Sequence, residues 1–127
     1  MYTVGKPAPA GAVHMSLADL STYANEHLRG QLGAGKILSA ETYQKLHAPR
    51  LNHRAYGWAV NERSPDSPYT IYWHNGSNTL WYAFVAFIPE KKMVVAVTSN
   101  DGDISSAEAA AWEIENYAAN DLKVAKP

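Results

Sequence analysis

The stretch IYWHNGSNTLWYAF, residues 71–84, holds the groups of this 127-residue chain whose types and spacing invite a chemical reading. Asn75-Gly76 between two aromatic runs is a strong signal for a two-residue hairpin turn. His74-Asn75-Gly76 also has the form H-x-G, which on an extended strand puts an imidazole and a glycine on one face. In the first case these residues are a turn; in the second they form one wall of a cleft. Other reactive groups narrow the field. There is no cysteine, which removes thiol nucleophiles, zinc-thiolate sites and disulfides. His14, His27, His47 and His53 have no metal-ligand spacing and no acidic cluster beside them, so no metal is expected. Asp101-Gly102-Asp103 hints at a calcium loop but lacks the remaining ligands and a closing glutamate, and a strand-to-helix turn is expected instead. Gly33-Ala34-Gly35 follows no strand and fits no phosphate loop. Tyr69, Tyr72, Trp73, Trp81, Tyr82 and Phe84 suggest a carbohydrate platform or a packed core, and the core is the expectation.

These residues must be positioned by an ordinary globular chain. Hydrophobic residues make up 46% and charged residues 18%, a balance that disfavours disorder. A formal net charge of −1 with scattered basic residues gives no reason to expect a nucleic-acid partner. No apolar run is long enough to insert in a membrane, and the first residues lack the charged and apolar regions of a signal peptide. One domain over residues 1–127 is expected, with residues 1–11 a proline-rich, extended, linker-like lead-in.

Ser16, with Asp19 three residues on, predicts a helix cap, followed by Leu17, Leu20, Ala24, His27 and Leu28 at helical spacing and an end near Gly30. Ser39 predicts the cap of a short helix stopped by Pro49. From residue 55 the pattern turns to aromatic and β-branched runs, with strands expected near 69–76, 80–89 and 92–99. Short connections make them antiparallel, and nearly continuous apolar character implies a sheet covered on both faces. A last helix near 105–121 has Ser105 and Glu108 at capping-box spacing and an apolar stripe of Ala107, Ala110, Ala111, Ile114, Tyr117 and Ala118. The expected class is α+β: an antiparallel sheet of three to four strands with the N-terminal and C-terminal helices packed on it, both on one face.

In order and spacing, these phrases resemble a known family. HNG, then AFIPEKKMVVAVTSN, then Ala110-Ala111-Trp112, is similar to the C-terminal segment of the serine β-lactamase-like hydrolases. That superfamily includes class C β-lactamases, penicillin-binding proteins, D-Ala-D-Ala carboxypeptidases and some esterases. PAGAVHMSLADL and YGWAVNE resemble its upstream elements, so the likeness covers residues 9–122. The family's serine nucleophile stands in S-x-x-K and is followed by Y-x-N. None of the nine serines here has lysine three residues on, and the Tyr23-Ala24-Asn25 match falls within the first helix. An unassisted serine hydroxyl is a poor nucleophile.

The resemblance therefore implies the C-terminal part of such a hydrolase, acting by acyl transfer on a β-lactam, a D-amino-acid peptide or an ester. Its nucleophile would come from a missing N-terminal half. No cofactor is implied, the partners would be that half and a small-molecule or peptide substrate, and the parent would be periplasmic or secreted. His74 takes the place of the family's usual lysine, as a cation for a substrate carboxylate or a proton relay. The backbone N–H of Ser77 matches one oxyanion-hole donor. Asn75, Gly76 and Thr79 would border the substrate, with the turn at Ser77-Asn78-Thr79. Where relatives carry a glycine, Thr79-Leu80-Trp81 fills space beside the cleft. The alternative is a non-catalytic binding or interaction module using the same edge strand.

Overall fold

The computed structural model describes residues 11–121, so nearly all of the proline-rich lead-in lies outside it. Helix α1 (Leu17–Gln31) starts where the sequence places it. The Ser16 side chain accepts from the Asp19 N–H and its hydroxyl donates to the Asp19 carboxylate, so the cap is satisfied in both directions. Helix α2 (Ala40–His47) is capped by Ser39, whose Oγ accepts from the Thr42 N–H. The two helices touch closely at Gly30. A Cβ there would stand 2.2 Å from the Tyr43 ring, so only glycine lets α2 approach.

Strands β1 (Ala59–Asn61), β2 (Ile71–Ser77), β3 (Tyr82–Ile88) and β4 (Met93–Ser99) form one antiparallel sheet in the order β1-β2-β3-β4. Registers run from Tyr72↔Phe87 to Ser77↔Tyr82 and from Tyr82↔Ser99 to Ile88↔Met93. The second connection is the short 3-10 turn Pro89–Lys91, closed by Lys92 in the left-handed region. Helix α3 (Ile104–Asn120) follows β4.

Because successive residues of a strand face opposite ways, β3 supplies two cores. Tyr82, Phe84, Ala86 and Ile88 pack with Ala107, Ala111 and Ala118 of α3. Val85 and Phe87 pack with Ala24 and Leu28 of α1, and with Trp58. A strand buried on both faces has no polar alternation to show, which is why YAFVAFI reads as continuously apolar.

Three expectations are corrected here. Helices α1 and α3 lie on opposite faces of the sheet, not on one. The stripe on α3 is also turned from the expected one. Ala107, Ala111, Glu115, Ala118 and Ala119 are buried, while Ile114 and Tyr117 are exposed. The aromatic side chains on this sheet face take up the space beneath the helix, and α3 turns mainly small alanines toward them in place of its larger apolar residues. The cap is Asp103, accepting from Ser106, so the Ser105–Glu108 box does not form.

Candidate active-site strand

Asn75 and Gly76 are not a turn. They lie inside β2, paired with Phe84 and Ala83, and neither has positive φ. The chain reverses over Asn78–Trp81 instead. Thr79 takes φ 75°, and the Asn78 Oδ1 accepts from the N–H groups of Leu80 and Trp81. An Asn-Gly pair is a turn signal only when the strand can end there. Here the ladder continues through Ser77 because the side-chain carbonyl of Asn78 and the φ of Thr79 make a later reversal.

That placement directs the backbone of β2. The Asn78 N–H donates to the Trp81 carbonyl across the turn, at 3.4 Å. Antiparallel bonding alternates, so the N–H groups of Gly76 and Asn78 point toward β3, and those of Asn75 and Ser77 point away from it. Strand β1 pairs only with Ile71, Tyr72 and Trp73. The Ser77 N–H therefore looks out from a length of strand edge that β1 does not cover.

Side chains sort by the same alternation. His74 is exposed and shares the α1 face of the sheet with Tyr72 and Gly76. A Cβ on Gly76 would meet nothing within 4 Å, so the strand borders open space there. Asn75 faces the other way. Its Nδ2 donates to the Tyr82 hydroxyl at 3.2 Å and to the Glu108 carboxylate at 3.3 Å, tying β2 to β3 and α3. The Asn75 side chain thus anchors the strand from behind. The Ser77 Oγ accepts from the Thr79 N–H at 3.0 Å.

A cleft of about 690 Å³ opens beside the end of β2 on the α1 side. Gly76, Ser77, Asn78 and Trp81 contribute one part of the lining, and Gly11, residues 13–17 and Leu20 another. Thr98 and Ser99, at the end of β4, also line it. His74 and Thr79 do not line this cleft; Thr79 sits exposed at the turn tip. His14 does line it, and no spacing in the sequence signals that.

The sequence also conceals a histidine pair, His47 buried and His27 half-buried. The His47 Nδ1–H donates to the Gln31 Oε1, and the His47 Nε2 then accepts from the His27 Nδ1–H, each at 2.8 Å. Aromatic rings of Tyr43, Trp58, Tyr72 and Phe87 surround them. Burial, reinforced by the adjacent His27, holds His47 down to about 4, and burial lowers His27 as well. Two neutral imidazoles in an aromatic box pin α2 to α1. The pair lies 20 positions apart, out of reach of any local pattern. Among the described residues no group of three or more histidine, aspartate or glutamate side chains is placed to hold a metal.

Asp101 and Asp103 form the strand-to-helix turn that their spacing suggests. The Asp101 carboxylate accepts from the Asp103 N–H. Tyr23, of the Y-x-N match, is fixed within α1 and stacks on Trp58.

No curated protein and no solved structure matches the chain. A sequence model of the beta-lactamase family does match, over residues 1–119. With that extent of match, and with an antiparallel sheet between helices whose H-x-G strand stays extended beyond the length that β1 pairs, the chain belongs to the beta-lactamase family of serine β-lactamase-like proteins.

Proposed function

We propose that this chain is the C-terminal, strand-bearing part of an acyl-transfer hydrolase, and that it supplies an oxyanion donor but not the nucleophile. One observation carries this reading: the Ser77 N–H points out of the edge of β2 that no strand covers among the described residues, beside a cleft. In the reaction, a serine hydroxyl on another segment attacks the substrate carbonyl carbon. The Ser77 N–H and a second N–H hold the tetrahedral oxyanion, the leaving alcohol or amine departs with a proton, and water then releases the acid. A preorganised donor aimed at the developing charge is typically worth ~10²–10³ in kcat. His74, on the cleft-side face, would bind substrate or move a proton; it replaces a lysine, which stays charged at pH values where an imidazole does not. Asn75 would act through the strand it anchors.

The missing nucleophile carries the other half of the proposal. No S-x-x-K occurs in the chain, and the Tyr23-Ala24-Asn25 match is held inside α1. The chain alone should therefore neither hydrolyse a p-nitrophenyl butyrate or a chromogenic cephalosporin nor be labelled by a fluorophosphonate. Joined to a segment of the family bearing S-x-x-K and Y-x-N, it should hydrolyse one of these, and His74→Ala should lower kcat/KM by ~10²-fold or more. A serine of the isolated chain that becomes labelled would overturn the proposal. So would a joined protein that unfolds cooperatively yet stays inactive.

A further inference from the structure

We infer that the cleft beside β2 takes an uncharged, apolar group, so that the substrate is a neutral ester or amide and not a carboxylate-bearing β-lactam or peptide. The substrate part of this rests on the function proposed above; the binding part does not.

Four large apolar side chains, Val13, Met15, Leu17 and Trp81, line the cleft and are largely exposed. Exposed apolar residues scattered singly need no explanation, but here they gather around one opening. Its volume of about 690 Å³ is that of a small-molecule site. Covering those side chains with an apolar group releases the water against them, which drives binding.

Charge selects against the alternative. No lysine, arginine, aspartate or glutamate lines the cleft among the described residues; His14 is its one titratable side chain, since the Tyr82 phenol packs on the α3 face of the sheet. A carboxylate moved from water into such surroundings loses hydration and meets no permanent cation.

The polar groups that remain are mostly engaged already. The Ser16 hydroxyl is bonded to Asp19, the Ser77 Oγ accepts from Thr79, and the Ser99 Oγ accepts from the Asp101 N–H. The Asn78 carbonyl accepts from Leu80 and Trp81, which also fixes the Trp81 backbone at the cleft wall. These side chains shape their own loops. What is left for a ligand is apolar surface, the hydroxyl of Thr98, the imidazole of His14 and the outward N–H of Ser77, with no permanent charge among them, a combination that suits a neutral carbonyl compound with an aliphatic or aromatic body.

A matched pair of probes isolates the charge. Methyl 4-phenylbutanoate and 4-phenylbutanoate differ at the carboxyl group alone, and both can be titrated into the ¹⁵N-labelled chain at pH 8. The ester is expected to shift the amides of Ser77, Asn78 and Thr98 and the Trp81 indole to saturation. The acid should bind at least tenfold more weakly, and Trp81→Ala should weaken the ester at least threefold. Equal or tighter binding of the acid or of benzylpenicillin overturns the inference, as do shifts confined to other residues. Shifts at these amides that follow protein concentration without ligand would also overturn it, by showing that a second copy fills the cleft. The chain used here needs no nucleophile, so the two proposals fail separately. If the ester binds but the joined protein is inactive, only the catalytic reading falls. If the joined protein turns over but prefers the carboxylate-bearing substrate, only this one does.

Discussion

Glu115 offers the sharpest test of how the sheet and α3 are packed. It sits on the alanine face of α3 with no exposed surface, and neither carboxylate oxygen finds a hydrogen-bond partner among the described residues. Burial raises its pKa from the ordinary 4.5, so the folded chain keeps this proton to higher pH than the unfolded chain does. Over the interval from 4.5 up to the folded value, the native state binds more protons, and stability falls as pH rises. Above that interval the deficit is complete. Glu115→Met keeps roughly the same volume and removes the unsatisfied group. A buried polar group without a partner costs about 1–3 kcal/mol, and more when charged. The variant should therefore be more stable by about 1–3 kcal/mol at pH 8, raising Tm by roughly 3–15 °C for a domain of this size. At pH 4, where the carboxyl is mostly neutral in both states, the gain should shrink. Urea unfolding followed by tryptophan fluorescence at the two pH values measures both quantities. A Glu115→Met chain that is less stable at pH 8, with a pH dependence unchanged from the parent, would refute the reasoning. It would mean that the carboxylate is held by a cation from outside the described residues.

The His27–His47 pair should act in the opposite pH direction. With His47 held at about 4 in the fold against 6.5 unfolded, stability is complete above 6.5 and is lost as pH falls toward 4. His47→Gln cannot take the proton and should flatten that acid-side loss by up to about 3 kcal/mol, read from urea midpoints between pH 7 and 4.5; an unchanged slope argues against a buried neutral imidazole. Gly30→Ala should destabilise by ~1–3 kcal/mol in thermal unfolding although alanine is the better helix former, because its Cβ meets the Tyr43 ring. A neutral or stabilising result would show that α2 does not sit against α1 as described. Asn75→Ala should cost ~0.5–2 kcal/mol by loss of the bonds to Tyr82 and Glu108, and amide exchange should quicken along β2. Unaltered exchange would remove the anchoring role of Asn75.

What the sequence by itself determined is what short-range chemistry controls. Ser16 and Ser39 cap α1 and α2 because a hydroxyl one turn from free N–H groups needs nothing distant to act. The aromatic and β-branched runs and their short connections determined an antiparallel meander, and continuous apolar character determined that both faces are covered. The resemblance carried by HNG and AFIPEKKMVVAVTSN identified the family. Tertiary structure alone decided the rest, because each remaining choice was locally degenerate. Asn75-Gly76 satisfies a primed turn and an extended strand equally well; cross-strand pairing with Ala83 and Phe84 and the later reversal at Thr79 decided for the strand. Alanines at 107, 111 and 118 fit two helix phases, and the close approach to the sheet selected the one that buries Glu115 and leaves Ile114 and Tyr117 outside. No residue pattern states which face of a two-sided sheet a helix will cover. That choice, like the meeting of His27 with His47 and of residues 11–20 with the end of β2, is made only when distant segments pack, and it is there that the cleft arises.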